Sequence, residues 1–445
     1  MHLPLTPTWG PVAMLSLSAA TAVSSSRLAQ RLADLASFGA RADGGVDRQA
    51  LCAAECDARR WLVAPFLKRD GYHIGMDAAA NLFIRRLGQC QDEPPLLFGS
   101  HIDTQPAGGR FDGAFGVCAA LEVFEALDDS NTTTECSLEA VIWNNEEGVR
   151  FSPGLTGSRL FTHPQQFAEV MACMGSDGQL LKDECHHAYQ DMDVFLNEKG
   201  HSLVEYPLGR PVTAYLEAHI EQGPILEDKG LSVGCVTAIQ ASRWYAVTVS
   251  GKSAHAGTTP MYARQDAMAK AINLAAQMLS CAEQQNDPDL RFTIGRWSTV
   301  PNAINTIANE VCFSIDMRHP DEHALSRVFH CLEPLLSGDD VSIQCLFSEP
   351  TQPFNEELIG VIEHASHALQ IDSMRLISGA FHDALNLAGH CPTAMIFAPS
   401  REGISHHPDE FSSADDLFRC TQVLAASVQQ LSCGLSGVKR ALSIS

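Results

Sequence analysis

The chain has 445 residues, 45% hydrophobic and 19% charged, and 30 Lys and Arg against 53 Asp and Glu give a formal net charge of −23. That length exceeds what one hydrophobic core ordinarily spans, so two domains are expected. The negative balance, with no basic stripe to offset it, sets nucleic acid aside as a partner, because a phosphate backbone would be repelled.

No run is long and apolar enough to span a bilayer, so no membrane association is expected. The 15 cysteines are odd in number, scattered, and include no C-x-x-C. That is the usage of a reduced cytoplasmic protein rather than of a disulfide framework. Residues 1–25 are mildly apolar but carry no Lys or Arg, and Pro4, Pro7 and Pro11 interrupt them. They read as a poorly ordered extension, not a targeting peptide.

Ordered structure is expected from Ser26, an N-cap before Leu28, Leu32 and Leu35 at helical spacing. An α/β pattern follows. A short buried strand at 96–98 delivers His101 and Asp103 just past its end. Asp112 precedes a helix whose Val117, Leu121 and Phe124 form an apolar stripe. A strand at 138–143 runs into Glu146 and Glu147, and a later one at 393–398 is followed by His406. Three of these stations lie beyond the carboxyl ends of strands, where open α/β sheets place their sites.

Between them, 239–349 has a different rhythm. Strands at 243–250, 291–297, 310–318 and 341–347 alternate with helices at 263–280 and 321–336. That β-α-β-β-α-β order is the ferredoxin-like split unit, inserted as one block. The expected architecture is therefore a discontinuous α/β catalytic domain, 26–238 with 350–445, around a central sheet flanked by helices, and an inserted domain at 239–349.

His101, Asp112, Glu146, Glu147, His219 and His406 form the ligand inventory of a two-metal hydrolytic site: imidazoles and carboxylates, no thiolate, and one spare carboxylate to act as a base. Asp112, reached from His101 across the turn at Gly108 and Gly109, is placed to bridge two ions. Asp103 is placed to accept a hydrogen bond from the second nitrogen of His101. Alone, an H-x-D or an E-E pair is more often a solvated surface, and His219, between Ala218 and Ile220, more often a core histidine. Their joint occurrence at strand ends and Gly-rich turns favours a metal site over those readings, with a single mononuclear site as the remaining structural alternative. The H-E-x-x-H signature of another zinc class is absent.

The segments GSHIDTQPAGGRFDG and EAHIEQGP, with the order of the other stations, resemble the zinc-dependent hydantoinase/carbamoylase amidohydrolases, a branch of a larger dinuclear metallopeptidase clan. N-carbamoyl-L-amino-acid hydrolases, β-ureidopropionases and allantoate amidohydrolases belong to it, and the similarity runs from about residue 30 to 430. The resemblance implies two divalent ions per subunit, zinc first, with manganese, cobalt or nickel tolerated by such ligands. It assigns His101, Asp112 and His219 to one ion, and Asp112, Glu147 and His406 to the other, with Glu146 as general base. His407 is the alternative to His406.

The resemblance further implies that the inserted domain acts as a lid and dimerisation domain of a homodimer. From that domain His255, at a strand end, would meet the substrate carbonyl, and Asn305 and Arg318 would bind substrate, Arg318 through its carboxylate. Gln222 matches the position that contacts the ureido group. In SGAFHDALNLAG, Gly379, Phe381 and His382 would line the site, with His382 a second oxyanion donor. Phe381 stands where relatives often have glycine. The expected activity is hydrolysis of a linear ureido C–N bond in a small molecule, an N-carbamoyl-L-amino acid before allantoate or N-carbamoyl-β-alanine. A dinuclear dipeptidase or aminoacylase, a non-catalytic binding relative and a cysteine-nucleophile amidase are the other readings weighed. Intact Glu146, the complete ligand set, and the lack of a Cys in any station count against the last two.

Overall fold

Continuous apolar runs, rather than alternation, mark strands buried on both faces, and the sheet that holds the site is built of these. The computed structural model describes residues 16–433. Strands β1 (Tyr72–Asp77), β2 (Leu82–Arg86), β3 (Leu96–His101), β4 (Leu138–Trp143), β5 (Val204–Tyr206), β6 (Ala214–Ile220) and β7 (Val233–Ile239) come first. Then follow β8 (Ala241–Ser250), β9 (Arg291–Val300), β10 (Glu310–His319) and β11 (Val341–Glu349). The last are β12 (Gln352–Pro353), β13 (Ser373–Ser378) and β14 (Thr393–Ala398). Among the described residues, 16–237 and 354–433 form one unit, and 238–353 another.

In the larger unit the sheet order is β12-β7-β14-β6-β3-β4-β2-β1-β5, with β13 paired to β7. Its four central strands, β14, β6, β3 and β4, are mutually parallel. Antiparallel β7 and β2 flank them, so the sheet is mixed. All residues of β3, β4, β6 and β14 are buried. Strand β6 brings His219 to a fourth strand end, which the sequence did not mark, because Glu217 and His219 interrupt its apolar run.

Helix Ala114–Asp129 packs on β3 and β6 and is itself covered by helices Ser18–Ala22, Ser25–Leu35 and Ala414–Cys433. It is buried all round from Ala114 to Leu127, not along one stripe, as befits a helix between two layers. The extension expected to be poorly ordered needs correction from residue 16 on; 1–15 and 434–445 lie outside the described residues. Ala19 and Ala20 are fully buried, and the Ala19 N–H donates to Gln429 Oε1 at 3.0 Å. The N-cap is Ser24 rather than Ser26, its hydroxyl accepting the Arg27 N–H. Arg27 then reaches the fully buried Glu122 with Nε and Nη2, both at 2.7 Å.

The smaller unit has sheet order β11-β8-β10-β9, every pair antiparallel. With helices Ala267–Gln284 and Glu322–Leu332 this is the ferredoxin-like arrangement. The first helix begins later than its Ala-rich pattern suggests. A 3-10 turn occupies Met261–Ala263, and Asp266 caps the helix by accepting the Ala269 N–H. Val247, Val249, Phe313 and Ile315 of the sheet meet Ala271, Met278 and Leu325 in a core of this unit's own.

Phe124 fixes the buried helix to the sheet: its ring lies 5.4 Å from Phe98, 6.0 Å from Phe66 and 5.6 Å from Tyr72, each edge-to-face. Phe124→Ala should cost about 3–5 kcal/mol in urea denaturation. A loss below ~1 kcal/mol would mean that this cluster does not anchor the helix.

Candidate metal centre

Four strand ends and one helix start deliver the site. His101 closes β3 and His219 lies near the end of β6. Glu146 and Glu147 follow β4 across a turn in which Asn145 adopts φ 54° and its amide donates to Phe151 O and Thr156 Oγ1. His406 follows β14 and also has positive φ, 56°. Asp112 precedes helix Ala114–Asp129, whose N-cap Gly113 has φ 61°; a Cβ there would lie 2.3 Å from His101 Nε2. Only glycine fits both demands.

The Asp112 carboxylate is divided between two groups. Oδ1 lies 3.1 Å from His219 Nε2 and 3.6 Å from His101 Nε2. Oδ2 lies 3.2 Å from His406 Nε2, which is 3.5 Å from Glu147 Oε2. Each trio, His101–Asp112–His219 and Asp112–Glu147–His406, places its ligand atoms within 4.8 Å of one another. Ligands ~2.0–2.2 Å from a tetrahedral ion stand about 3.4 Å apart, so these separations fit a divalent cation in each trio.

The hydrogen bonds behind the ligands fit as well. His101 Nδ1 is 2.9 Å from the Asp103 carbonyl, and His219 Nδ1 is 2.8 Å from the Ile220 carbonyl. Each ring therefore carries a proton on Nδ1 and turns its Nε2 toward Asp112, where His219 Nε2 also accepts the Gly113 N–H at 3.0 Å. His101 Nε2 is buried without a hydrogen-bond partner. Asp103 meets the imidazole through its backbone carbonyl rather than its carboxylate. Its carboxylate, 3.5 Å from His101 Nδ1, accepts the N–H groups of Glu146 and Glu147 at 3.2 and 3.1 Å. The backbone carbonyl is simply nearer the imidazole, which leaves the carboxylate to shape the Glu146–Glu147 turn.

Electrostatics follow from crowding. Burial alone would lower His101, but Glu146, Asp103 and Asp112 prevail and hold it well above the usual histidine range. Burial would raise Asp112, yet His101, His219 and His406 hold it well below the carboxylate range. Glu146, its Oε2 3.6 Å from His101 Nε2, is pushed well above that range by burial; His101 opposes this and Glu147 adds to it. Burial and then Asp112 push Glu147 up to about 7. His407 plays no part in the trio: its Nδ1 accepts the Asp409 N–H at 3.1 Å.

Gln222, at φ 56°, donates Nε2 to Asp112 Oδ2 at 2.8 Å while its Oε1 is buried without a partner. His382 is buried, its ring centre 4.4 Å from that of His219. Its Nε2 is 3.1 Å from Ser378 Oγ, whose hydroxyl donates to Ala380 O, so Nε2 is the protonated nitrogen. Burial, then His219, holds the ring neutral. It lines the site with no second proton to offer an oxyanion, so the expected donor role does not follow. Gly379 and half-buried Phe381 lie in the loop after β13.

His255, Asn305 and Arg318 belong to the smaller unit. His255 is exposed in the loop beyond β8 rather than at its end, bridged to Thr306, with Nδ1 accepting the Gly257 N–H at 3.1 Å. Asn305, also exposed, offers its carbonyl to the Ala256 N–H. Arg318 already grips a carboxylate, that of Asp316, with Nε and Nη2 at 3.0 and 2.9 Å from Oδ2.

Sequence reasoning missed several residues. Gln105 holds Glu147 with its N–H and Nε2 at 3.2 and 2.7 Å. Fully buried Glu217, two residues before His219, accepts Ser100 Oγ at 2.7 Å and the Ala384 N–H at 3.0 Å. Arg48, also buried, donates Nε to Ile102 O and Nη1 to Leu35 O, both at 2.8 Å. Glu217 alone carried a signal, since residues two apart share a strand face.

A family model for peptidase family M20/M25/M40 matches residues 97–430. The N-carbamoyl-L-amino acid amidohydrolase of Geobacillus stearothermophilus is 34% identical over 420 residues, covering 92% of this chain and 98% of its own. The allantoate amidohydrolase of Bacillus subtilis (strain 168) is 32% identical over 389 residues, covering 86% and 92%. A crystal structure of a hydantoinase/carbamoylase family amidase from Burkholderia multivorans superposes with a TM-score of 0.81 at 33% identity, covering 92% of this chain and 98% of that one.

Protons and metal ions compete for the same imidazoles. Asp112 lifts His406 to about 9 against burial, above the ~6.5 of an unfolded histidine. The charged contact thus stabilises the metal-free fold fully below about pH 6.5, and the gain is lost as pH rises through about 9. Metal needs the neutral ring, so zinc affinity should rise with pH over that window. Calorimetric zinc titration near pH 7 in two buffers of different protonation enthalpy should show net proton release; buffer-independent heats would contradict it.

Proposed function

The chain belongs to peptidase family M20/M25/M40, and on that premise we propose that it is a dinuclear metal-dependent amidohydrolase cleaving a linear ureido C–N bond. The substrate we assign is an N-carbamoyl-L-amino acid, which would yield the amino acid, ammonia and carbon dioxide. The observation that carries this is the division of one buried carboxylate, Asp112, between two ligand trios, with Glu146 beside them. The similarity to N-carbamoyl-L-amino acid amidohydrolases supports the substrate class.

Two divalent ions bound in these trios, zinc in our reading, would supply Lewis acidity toward water and the substrate carbonyl. Glu146, whose elevated proton affinity suits a base working near neutrality, takes a proton from the attacking water and returns it to the leaving nitrogen. Gln222 orients the carbamoyl group: its unpartnered Oε1 can accept from the terminal NH2, while Nε2 stays on Asp112. Asp103 holds the backbone of Glu146 and Glu147, and with it the reach of the base.

All fifteen cysteines are free, which suits a reducing cytoplasmic setting. Burial pushes the Cys118 thiol up to about 12, the opposite of what a nucleophile needs. Among the described residues no helix is long and apolar enough to cross a membrane. A homodimer through the smaller unit is supported by the outer edge of its sheet, where β9 exposes Trp297 and Val300 by 39% and 49%.

The test is ammonia release from a panel of N-carbamoyl-L-amino acids, N-carbamoyl-β-alanine and allantoate, with and without chelator. Turnover of an N-carbamoyl-L-amino acid, abolished by chelator, is expected; activity on allantoate alone would move the substrate to that class. Glu146→Gln should lower kcat at least ~100-fold while metal content stays at the wild-type level. A near-normal rate in that variant would remove Glu146 from the role of base.

A further inference from the structure

Glu410 lies four residues beyond His406 and is 2% exposed, yet no Lys or Arg pairs with it among the described residues. A buried carboxylate without a cation is costly unless its oxygens are filled by hydrogen bonds, and these are filled by the loop that carries Asp112. Oε1 accepts the N–H groups of Phe111 and Asp112 at 2.8 and 3.1 Å. Oε2 accepts the Ser405 hydroxyl at 2.9 Å, and that same hydroxyl is 3.1 Å from Asp112 Oδ2. Gln222 Nε2 closes the circuit, 3.1 Å from Ser405 Oγ and 2.8 Å from Asp112 Oδ2. On the far side Gly109 leaves room for the Glu410 carboxyl; a Cβ there would lie 2.1 Å from its Cδ.

Glu410 therefore joins two loops that are almost three hundred residues apart in sequence, 109–112 and 405–410. One presents the shared carboxylate, and the other presents His406. The His101–Asp112–His219 trio has anchors of its own in the carbonyls of Asp103 and Ile220. The Asp112–Glu147–His406 trio exists only while these two loops stay in register.

Resting on the dinuclear reading above, we infer that Glu410 is a positioning residue for the second metal position, clamping the Asp112 backbone to the His406 loop. It touches neither ion nor substrate; it fixes where Asp112 Oδ2 meets His406.

The test is stepwise zinc titration of metal-free protein against a chromophoric chelator, with stoichiometry read by elemental analysis and folding by circular dichroism. The wild type should take two ions. Glu410→Ala should hold the first with near wild-type affinity and weaken the second by roughly 10–100-fold, the usual scale for partners behind a ligand. Glu410→Gln should restore most of the loss. Its amide oxygen can still accept the two backbone N–H groups, and its NH2 can donate to Ser405 Oγ. Gly109→Ala, which drives a methyl group into the Glu410 carboxyl from a different residue, should reproduce the Glu410→Ala pattern and carries the test should that variant not fold. Two ions bound by Glu410→Ala as tightly as by wild type, or a Gln variant as impaired as Ala, would overturn the inference. A wild type that binds a single ion would instead remove the dinuclear reading beneath it.

Discussion

Everything in the larger unit converges on the orientation of one carboxylate. Asp112 has to show one oxygen to His101 and His219 and the other to His406, which leaves its plane almost no freedom. Gly113 admits the sharp turn that makes this possible and clears the His101 ring. These two imidazoles are fixed in turn by carbonyls on their outer nitrogens, so both turn Nε2 toward Asp112 Oδ1. The fold itself sets this orientation.

The sheet explains why these groups meet. Parallel strands put their carboxyl ends at one edge, and β14, β6, β3 and β4 are neighbours in that order. Stations far apart in sequence thus arrive on adjacent strands, about 4.8 Å per step. Antiparallel strands could not do this, because alternate ends would point away. They occur where no ligand is carried, at β7 and β2.

The ligand residues were legible in the sequence because metal chemistry needs particular side chains, and Gly-rich turns mark where they sit. The strands at 96–98, 138–143 and 393–398 were legible as apolar runs before polar stations. What escaped notice was long-range. Nothing local says that the Ser405 hydroxyl meets Asp112 Oδ2, or that Arg48 ties Ile102 to the end of helix Ser25–Leu35. The burial of Ala19 and Ala20 was equally hidden, since small residues carry little periodic signal until the layers they pack between are known. Nor does spacing distinguish the carboxylate of Asp103 from its carbonyl, and it is the carbonyl that meets His101.

The two trios are chemically unequal. His101 and His219 are buried at 1% exposure each, and among the described residues Asp112 Oδ1 faces those two rings. On the other side Oδ2 already accepts Gln222 Nε2 and lies 3.1 Å from Ser405 Oγ, Glu147 accepts Gln105 twice, and the His406 side chain is half exposed. Each donated hydrogen bond draws electron density from an oxygen that must also bind a cation, and solvent beside His406 competes for its lone pair. The first trio is therefore the drier of the two, and the second, with two carboxylates and one imidazole, the more open to solvent. The same polar cluster that crowds the second trio leaves Gln222 Oε1 unpaired beside it, so on the proposed function one group of side chains serves both the second ion and the substrate.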